Sequence, residues 1–387
     1  MDRRPPPSHS DPVTSPTPAF LPGLQLSRLL YEEAVRPLLD EHLPGLPYAA
    51  ARIGPGSEVL GFDTARSADH EWGPRLELFL PPDDAAEHAA ELARLFAHRL
   101  PKAVRGWPTN FRPSASPRDP VGLMAPTEGP VAHRVTVTDV GSWLADRGLA
   151  AEPTTTDWLA MPWQRLAETT AGAVFHDGVG ELTEARARLA WYPDETWRWL
   201  LASQWQRLAQ EEAFPGRCAE VGDHLGAAVV TGRLVRDLMR LCLLYARRYP
   251  PYAKWLGSAF AGLPIAAELA PALRGALAAT GAALRERHLC HAYERVAALH
   301  NASGLTAPLD PAPRPYHSRP FLVLDAGRFA TELVDTLTDP ALRRAPLTGS
   351  VDQWADNTDF LGHRTAARAA IHASIERYDT WEPDGVR

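Results

Sequence analysis

The sequence predicts an α+β protein in two parts: a small α/β head on a mixed sheet, then a larger all-helical domain. Two observations lead there. Short apolar or β-branched runs bounded by turn residues fall almost entirely before residue 150, and beyond it apolar residues recur at helical spacing. A chain of 387 residues is also long enough for two cores of ordinary size. The expected division is a disordered tail over 1–20, the head over 21–150 and the helical domain over 151–387.

The elements follow in order. Met1 to Phe20 is dense in Pro and Ser and cannot build a core, so it reads as disordered. Leu24 to Leu43 has helical spacing through Leu26, Leu29, Leu30, Ala34 and Leu38, with Pro37 ending or kinking the helix. Tyr48 to Ile53 reads as a strand entering a tight turn. Leu76 to Leu80 is a second strand, stopped by Pro81-Pro82. Asp83-Asp84 then opens a helix through His98, where acidic groups favour the N-terminus. Pro101 to Pro130 reads as a long loop, either a lid or acceptor-pocket element or a plain surface loop. His133 to Thr138 alternates as a third strand closed by Asp139, and a short helix covers Ser142 to Asp146.

Past Gly148, helices are expected over 157–169, 182–191, 195–212, 217–247, 252–260 and 266–300. Residues 171–180 read as a loop. An extended piece at 320–324 precedes a final helical hairpin. Trp163, Trp191, Trp197, Trp199, Trp205 and Trp255 are assigned mostly to core.

Chemistry concentrates in one stretch, Gly54-Pro55-Gly56-Ser57 followed by Asp69-His70-Glu71. The glycines permit positive φ and close approach of another group. Free N–H groups in such a turn, with the Ser57 hydroxyl, can hold a phosphate. If residues 69–71 are extended, Asp69 and Glu71 share a face and His70 takes the other. Two like charges on one face need a cation between them, and oxygen-only ligation suits Mg²⁺. A phosphate cradle beside a metal clamp is what phosphoryl or nucleotidyl transfer requires. His70 is expected to be a packed histidine, and His176-Asp177 a loop turn.

Gly56-Ser57, a spacer and Asp69-x-Glu71 resemble the signature of the nucleotidyltransferase superfamily, which includes kanamycin nucleotidyltransferase and DNA polymerase beta. The chain more closely resembles an uncharacterised bacterial domain-of-unknown-function family placed in that superfamily. The carrying residues are Gly56-Ser57-Glu58-x-x-Gly61-Phe62-Asp63, Ser67-x-Asp69-His70-Glu71-Trp72-Gly73-Pro74 and Tyr249-x-Pro251-Tyr252-x-Lys254-Trp255. The resemblance implies a nucleotidyltransferase-type head, with the active site between head and helical domain. It also places a third carboxylate in the order occupied by Asp139; Glu77 competes, because strict alternation puts it on the face of Asp69 and Glu71. Trp72-Gly73-Pro74 departs from the superfamily, where an uninterrupted apolar strand is usual.

Lys254 is one of two lysines in a chain whose other basic side chains, histidines aside, are all arginine. A compact ammonium suits phosphate, so Tyr252 and Lys254 are candidates to reach a triphosphate across the cleft. The expected activity is Mg²⁺-dependent transfer of a nucleoside monophosphate from ATP or another triphosphate to an acceptor hydroxyl or amine. A small molecule or a protein side chain is the expected acceptor. A net charge of −7 and a pI near 6.1 disfavour nucleic acid in that role. The alternative is a nucleotide-binding or partner-binding protein on the same fold, such as an antitoxin or a sensor without turnover.

Cys218, Cys242 and Cys290 are odd in number and lack metal spacing, so they read as buried thiols in a reducing compartment. No run has the roughly 20 apolar residues of a membrane span. The N-terminus lacks the apolar core of a signal peptide. The expected location is therefore the cytoplasm.

Overall fold

The structure, a computed structural model, describes residues 18–114 and 122–375, apart from the side chain of Asp69. It is a mixed α/β protein around a mixed four-stranded sheet. Helices α1 (Gly23–Leu30) and α2 (Arg36–His42) come first, joined by a π turn over Tyr31–Val35. That wider turn lets the chain pass Pro37, which has no N–H to give, so the helix continues where an end or kink was expected.

Strands β1 (Ala49–Arg52) and β2 (Arg75–Phe79) pair antiparallel. Helix α3 (Pro82–Arg99) follows. Two short hairpins come next, β3 (Ala103–Val104) with β4 (Trp107–Pro108) and β5 (Phe111–Pro113) with β6 (Gly122–Met124). The segment expected as one long loop is thus partly strand, though its residues 115–121 lie outside those described. Strand β7 (Arg134–Thr138) runs parallel to β2 and leads into α4 (Val140–Asp146).

Helices α5 (Thr155–Ala160) and α6 (Trp163–Thr170) precede β8 (Ala173–Asp177), which pairs antiparallel with β1. Sheet order is β7-β2-β1-β8. The loop expected over 171–180 is therefore an edge strand, and the sheet draws residues from both sides of the expected boundary at residue 150. Beyond it lie α7 (Glu181–Arg188), α8 (Asp194–Glu211), α9 (Phe214–Glu220), α10 (His224–Tyr245), α11 (Ala253–Ala261), α12 (Ala266–Ala278) and α13 (Ala282–Ser303). The helices expected over 217–247 and 266–300 are each broken once. Gly222 takes φ +73° between α9 and α10, and Gly281 is extended between α12 and α13. A small ladder, β9 (Arg314–Pro315) with β10 (Leu322–Val323), precedes α14 (Gly327–Asp335) and four short helices.

Alternation along β1 explains why all four of its residues are buried. Ala49 and Ala51 face the helical core with Ile53, while Ala50 faces the layer of α1 and α3. Trp163, Trp197, Trp199 and Trp205 are buried as expected, whereas Trp191 and Trp255 are half-buried. Residues 1–17 lie outside those described. Phe20, assigned to the tail, instead stacks on Trp72 at 5.8 Å. Among the described residues, no helix is long and apolar enough to cross a membrane.

Candidate functional site

The turn after β1 is built on a buried charge. Arg52 is fully buried, and its Nε and Nη2 donate to Glu58 at 2.8 and 2.6 Å. Its Nη1 donates to Glu77 at 2.9 Å and to the Ile53 carbonyl at 2.7 Å. Burial works against the Arg52 charge, but the carboxylates of Glu77 and Glu58 outweigh it and raise its pKa. Arg75, also facing Glu58, is lowered to about 10 by burial and by repulsion from Arg52. Two guanidiniums and two carboxylates thus neutralise one another under the turn.

This network explains the glycines. A Cβ on Gly56 would fall 2.5 Å from both Glu58 oxygens, and one on Gly54 would strike the Arg147 guanidinium. The group that approaches closely is the chain's own charge network on that side of the turn. The N–H groups of Gly56, Ser57 and Glu58 and the Ser57 hydroxyl have no partner among the described residues. Those donors remain available to an anion.

The acidic pair is not on a strand. Ala65–Asp69 forms a 3₁₀ turn held by a capping box between Thr64 and Ser67. His70 is extended and exposed, not packed as expected, and Glu71 takes the left-handed φ of +45°. Glu71 donates its N–H to the Gly122 carbonyl, accepts the Gly122 N–H on Oε1, and faces Arg134 at 3.4 Å. Its Oε2 has no partner among the described residues. The Asp69 side chain lies outside the described residues. Among those described, no three His, Cys, Asp or Glu groups gather as a metal site.

Asp139 stands elsewhere. Ala51 pairs with Glu77 and Ala49 with Phe79, so the turn leaves β1 at the Glu77 end of β2. Thr138, preceding Asp139, pairs with Phe79 at the other end. The sheet does not bring Asp139 to the Gly-Ser turn. Its carboxylate caps α4 through the Ser142 N–H at 2.8 Å, and the Ser142 hydrogen bonds outweigh slight burial and lower its pKa. Glu77 does sit at the turn's end but is engaged by Arg52 and by the Ile53 N–H. His176 and Asp177, expected in a loop turn, are instead the last two residues of β8, and Asp177 accepts the Gly180 and Thr183 N–H groups at the start of α7.

The segment after α10 meets the Gly-Ser loop. Phe62 stacks on Trp255 with centroids 5.2 Å apart, and the Lys254 ammonium lies 4.7 Å over the Trp255 ring. Tyr252 caps α11 without a side-chain bond and is exposed, its N–H donating to Gln164. Between the two segments is a cavity of about 390 Å³, lined by Leu60 and Phe62 on one side and Leu243, Tyr249 and Pro251 on the other. That volume falls at the lower end for small-molecule sites. Arg248 stands on its lining with no partner among the described residues. Sequence reasoning missed Arg248, because an arginine just past a helix C-terminus is ordinary dipole chemistry.

The comparisons with known proteins can be set against this geometry. Residues 158–256 match the model of a family described as Domain of unknown function (DUF4037). That match includes Tyr249–Trp255 and stops short of the Gly-Ser turn. A solved structure of a nucleotidyltransferase-like protein from Exiguobacterium sibiricum is 12% identical, covering 83% of this chain and 91% of that one, with a TM-score of 0.31. None of the curated proteins matches the chain.

Proposed function

We propose that the protein is a Mg²⁺-dependent nucleotidyltransferase, moving a nucleoside monophosphate from ATP or another triphosphate to a small-molecule or protein acceptor. The observation that carries this reading is the unpaired donor set of Gly56, Ser57 and Glu58, on a loop whose Phe62 shares a cavity with the segment before α11. The donors suit triphosphate oxygens, and the rigid Arg52 network fixes them before the ligand arrives.

In this reading Asp69 and the free oxygen of Glu71 hold Mg²⁺, which offsets phosphate charge. Arg248 on the cavity lining, with Tyr252 and Lys254 on the segment that follows, would face the phosphates from the helical side. Asp139 has no part. Arg134 beside Glu71 favours a second reading, in which the same turn binds a nucleotide without turnover. The test is release of pyrophosphate from each common triphosphate, together with calorimetry in Mg²⁺ and in EDTA. Asp69→Asn with Glu71→Gln should remove the Mg²⁺-dependent part. Binding without pyrophosphate release across a broad acceptor screen would favour the second reading, and absence of any triphosphate binding would remove both.

A further inference from the structure

A second cavity of about 290 Å³ lies between α9, the start of α13 and the chain before β10, and shares no lining residue with the first. Its walls are largely apolar: Pro215, Leu289 and Phe321 form much of them. Gly216 has to be glycine there, because a Cβ would fall 2.5 Å from the Phe321 ring.

Two buried side chains on that lining each carry a polar atom without a partner. Arg285, Leu289 and Tyr293 follow one another at i, i+4 and i+8, on one face of α13. Arg285 is 4% exposed and forms no ion pair among the described residues. One of its five N–H donors goes to the Ala279 carbonyl, and its Nε has no acceptor. Tyr293 is 2% exposed, and its hydroxyl has no partner. A buried N–H left without an acceptor carries a desolvation cost unless something satisfies it.

The surrounding acids limit what that can be. Glu220 is paired with Arg319 at 2.5 Å. Glu212 accepts the N–H groups of Leu324, Asp325 and Ala326, and burial pushes it up to about 7. Glu286 also lines the space and has no partner among the described residues. With these carboxylates around a single free guanidinium, a phosphate or other dianion is disfavoured.

We propose that this cavity is a binding site for a small monocarboxylate with an apolar body, its carboxylate on Arg285 and its body against Leu289 and Phe321. A planar carboxylate matches the guanidinium fork, whose Nε is buried without an acceptor. The site is independent of the nucleotide reading.

Saturation-transfer NMR and calorimetry on the full chain test this with phenylacetate, its neutral isostere phenylacetamide, and inorganic phosphate. Saturable binding of phenylacetate is expected, with phenylacetamide at least about tenfold weaker, as for loss of a charged hydrogen bond. Arg285→Met should abolish the preference without lowering the melting temperature, since it removes an unpaired buried charge. Ala219→Trp fills the cavity from α9 without touching Arg285 and should block binding by itself. Equal binding of the acid and the amide, preference for phosphate, or no saturable phenylacetate binding by the wild type would each overturn the proposal. Phenylacetate binding that survives both variants would overturn it as well.

Discussion

The ring of Phe62 lies on the indole of Trp255, centroids 5.2 Å apart and 24° from parallel. This contact joins the Gly-Ser loop to the start of α11. Phe62→Ala should therefore loosen the loop as well as remove a ring. An aromatic pair of this kind is worth about 0.5–1.5 kcal/mol beyond its buried area. The expected result is lower stability to urea, and weaker triphosphate binding that Trp255→Ala reproduces without adding to. Fully additive losses in the double variant would mean the two rings act separately.

Lys254 is placed to discriminate charge on a ligand. Lys254→Ala should weaken triphosphate binding by about 1.5–3 kcal/mol while barely changing the affinity for the bare nucleoside. Loss of its exposed contact with Trp255 should lower stability by no more than about 1 kcal/mol. An unchanged triphosphate-to-nucleoside ratio in a folded variant would leave the lysine with packing alone.

Arg52 tests the foundation of the turn. Arg52→Met leaves Glu58, 1% exposed, and the nearby Glu77 without their main partner. Breaking a buried pair from one side costs about 3–5 kcal/mol. Chemical denaturation should show a loss of that size, and adding Glu58→Leu should recover part of it. A near-neutral single variant would mean that Arg75 takes over both carboxylates.

Glu212 makes stability depend on pH. Burial raises its folded pKa to about 7, above the unfolded carboxyl value, so the folded state holds the proton more tightly. Its contribution is complete below about pH 4.5 and is lost as pH rises through about 7. Glu212→Gln should flatten that decline, on the order of 3 kcal/mol at its largest. Burial lowers His300 to about 4, which acts in the opposite sense as pH falls below its unfolded value. The difference between wild type and variant therefore isolates the glutamate. Parallel stability curves for the two proteins from pH 4 to pH 8 would contradict it.

Much of this architecture was legible from residue order alone. Short apolar runs mark β1 and β2, alternation marks β7, and Asp83-Asp84 marks the start of α3. Glycine at 54 and 56 marks the tight turn, since the backbone there needs positive φ. The stack of Phe62 on Trp255 joins two segments far apart in the chain, and neither segment's local pattern signals that contact.

Other features had no local signal. Strand β8 carries no alternation of its own and becomes a strand because β1, more than 120 residues earlier, offers an unpaired edge. Asp69 and Glu71 look like a strand pair until Thr64 and Ser67 close a 3₁₀ turn before them and Gly122 ties Glu71 from the far side. Arg52 and Arg285 are ordinary arginines in sequence. Only packing made one the buried centre of a charge network and left the other unpaired beside a cavity. Local pattern determined which segments would be strand or helix, because backbone geometry repeats within a few residues. Which charges would be buried together was decided by contacts between segments far apart in the chain, and no pattern within either segment encodes that.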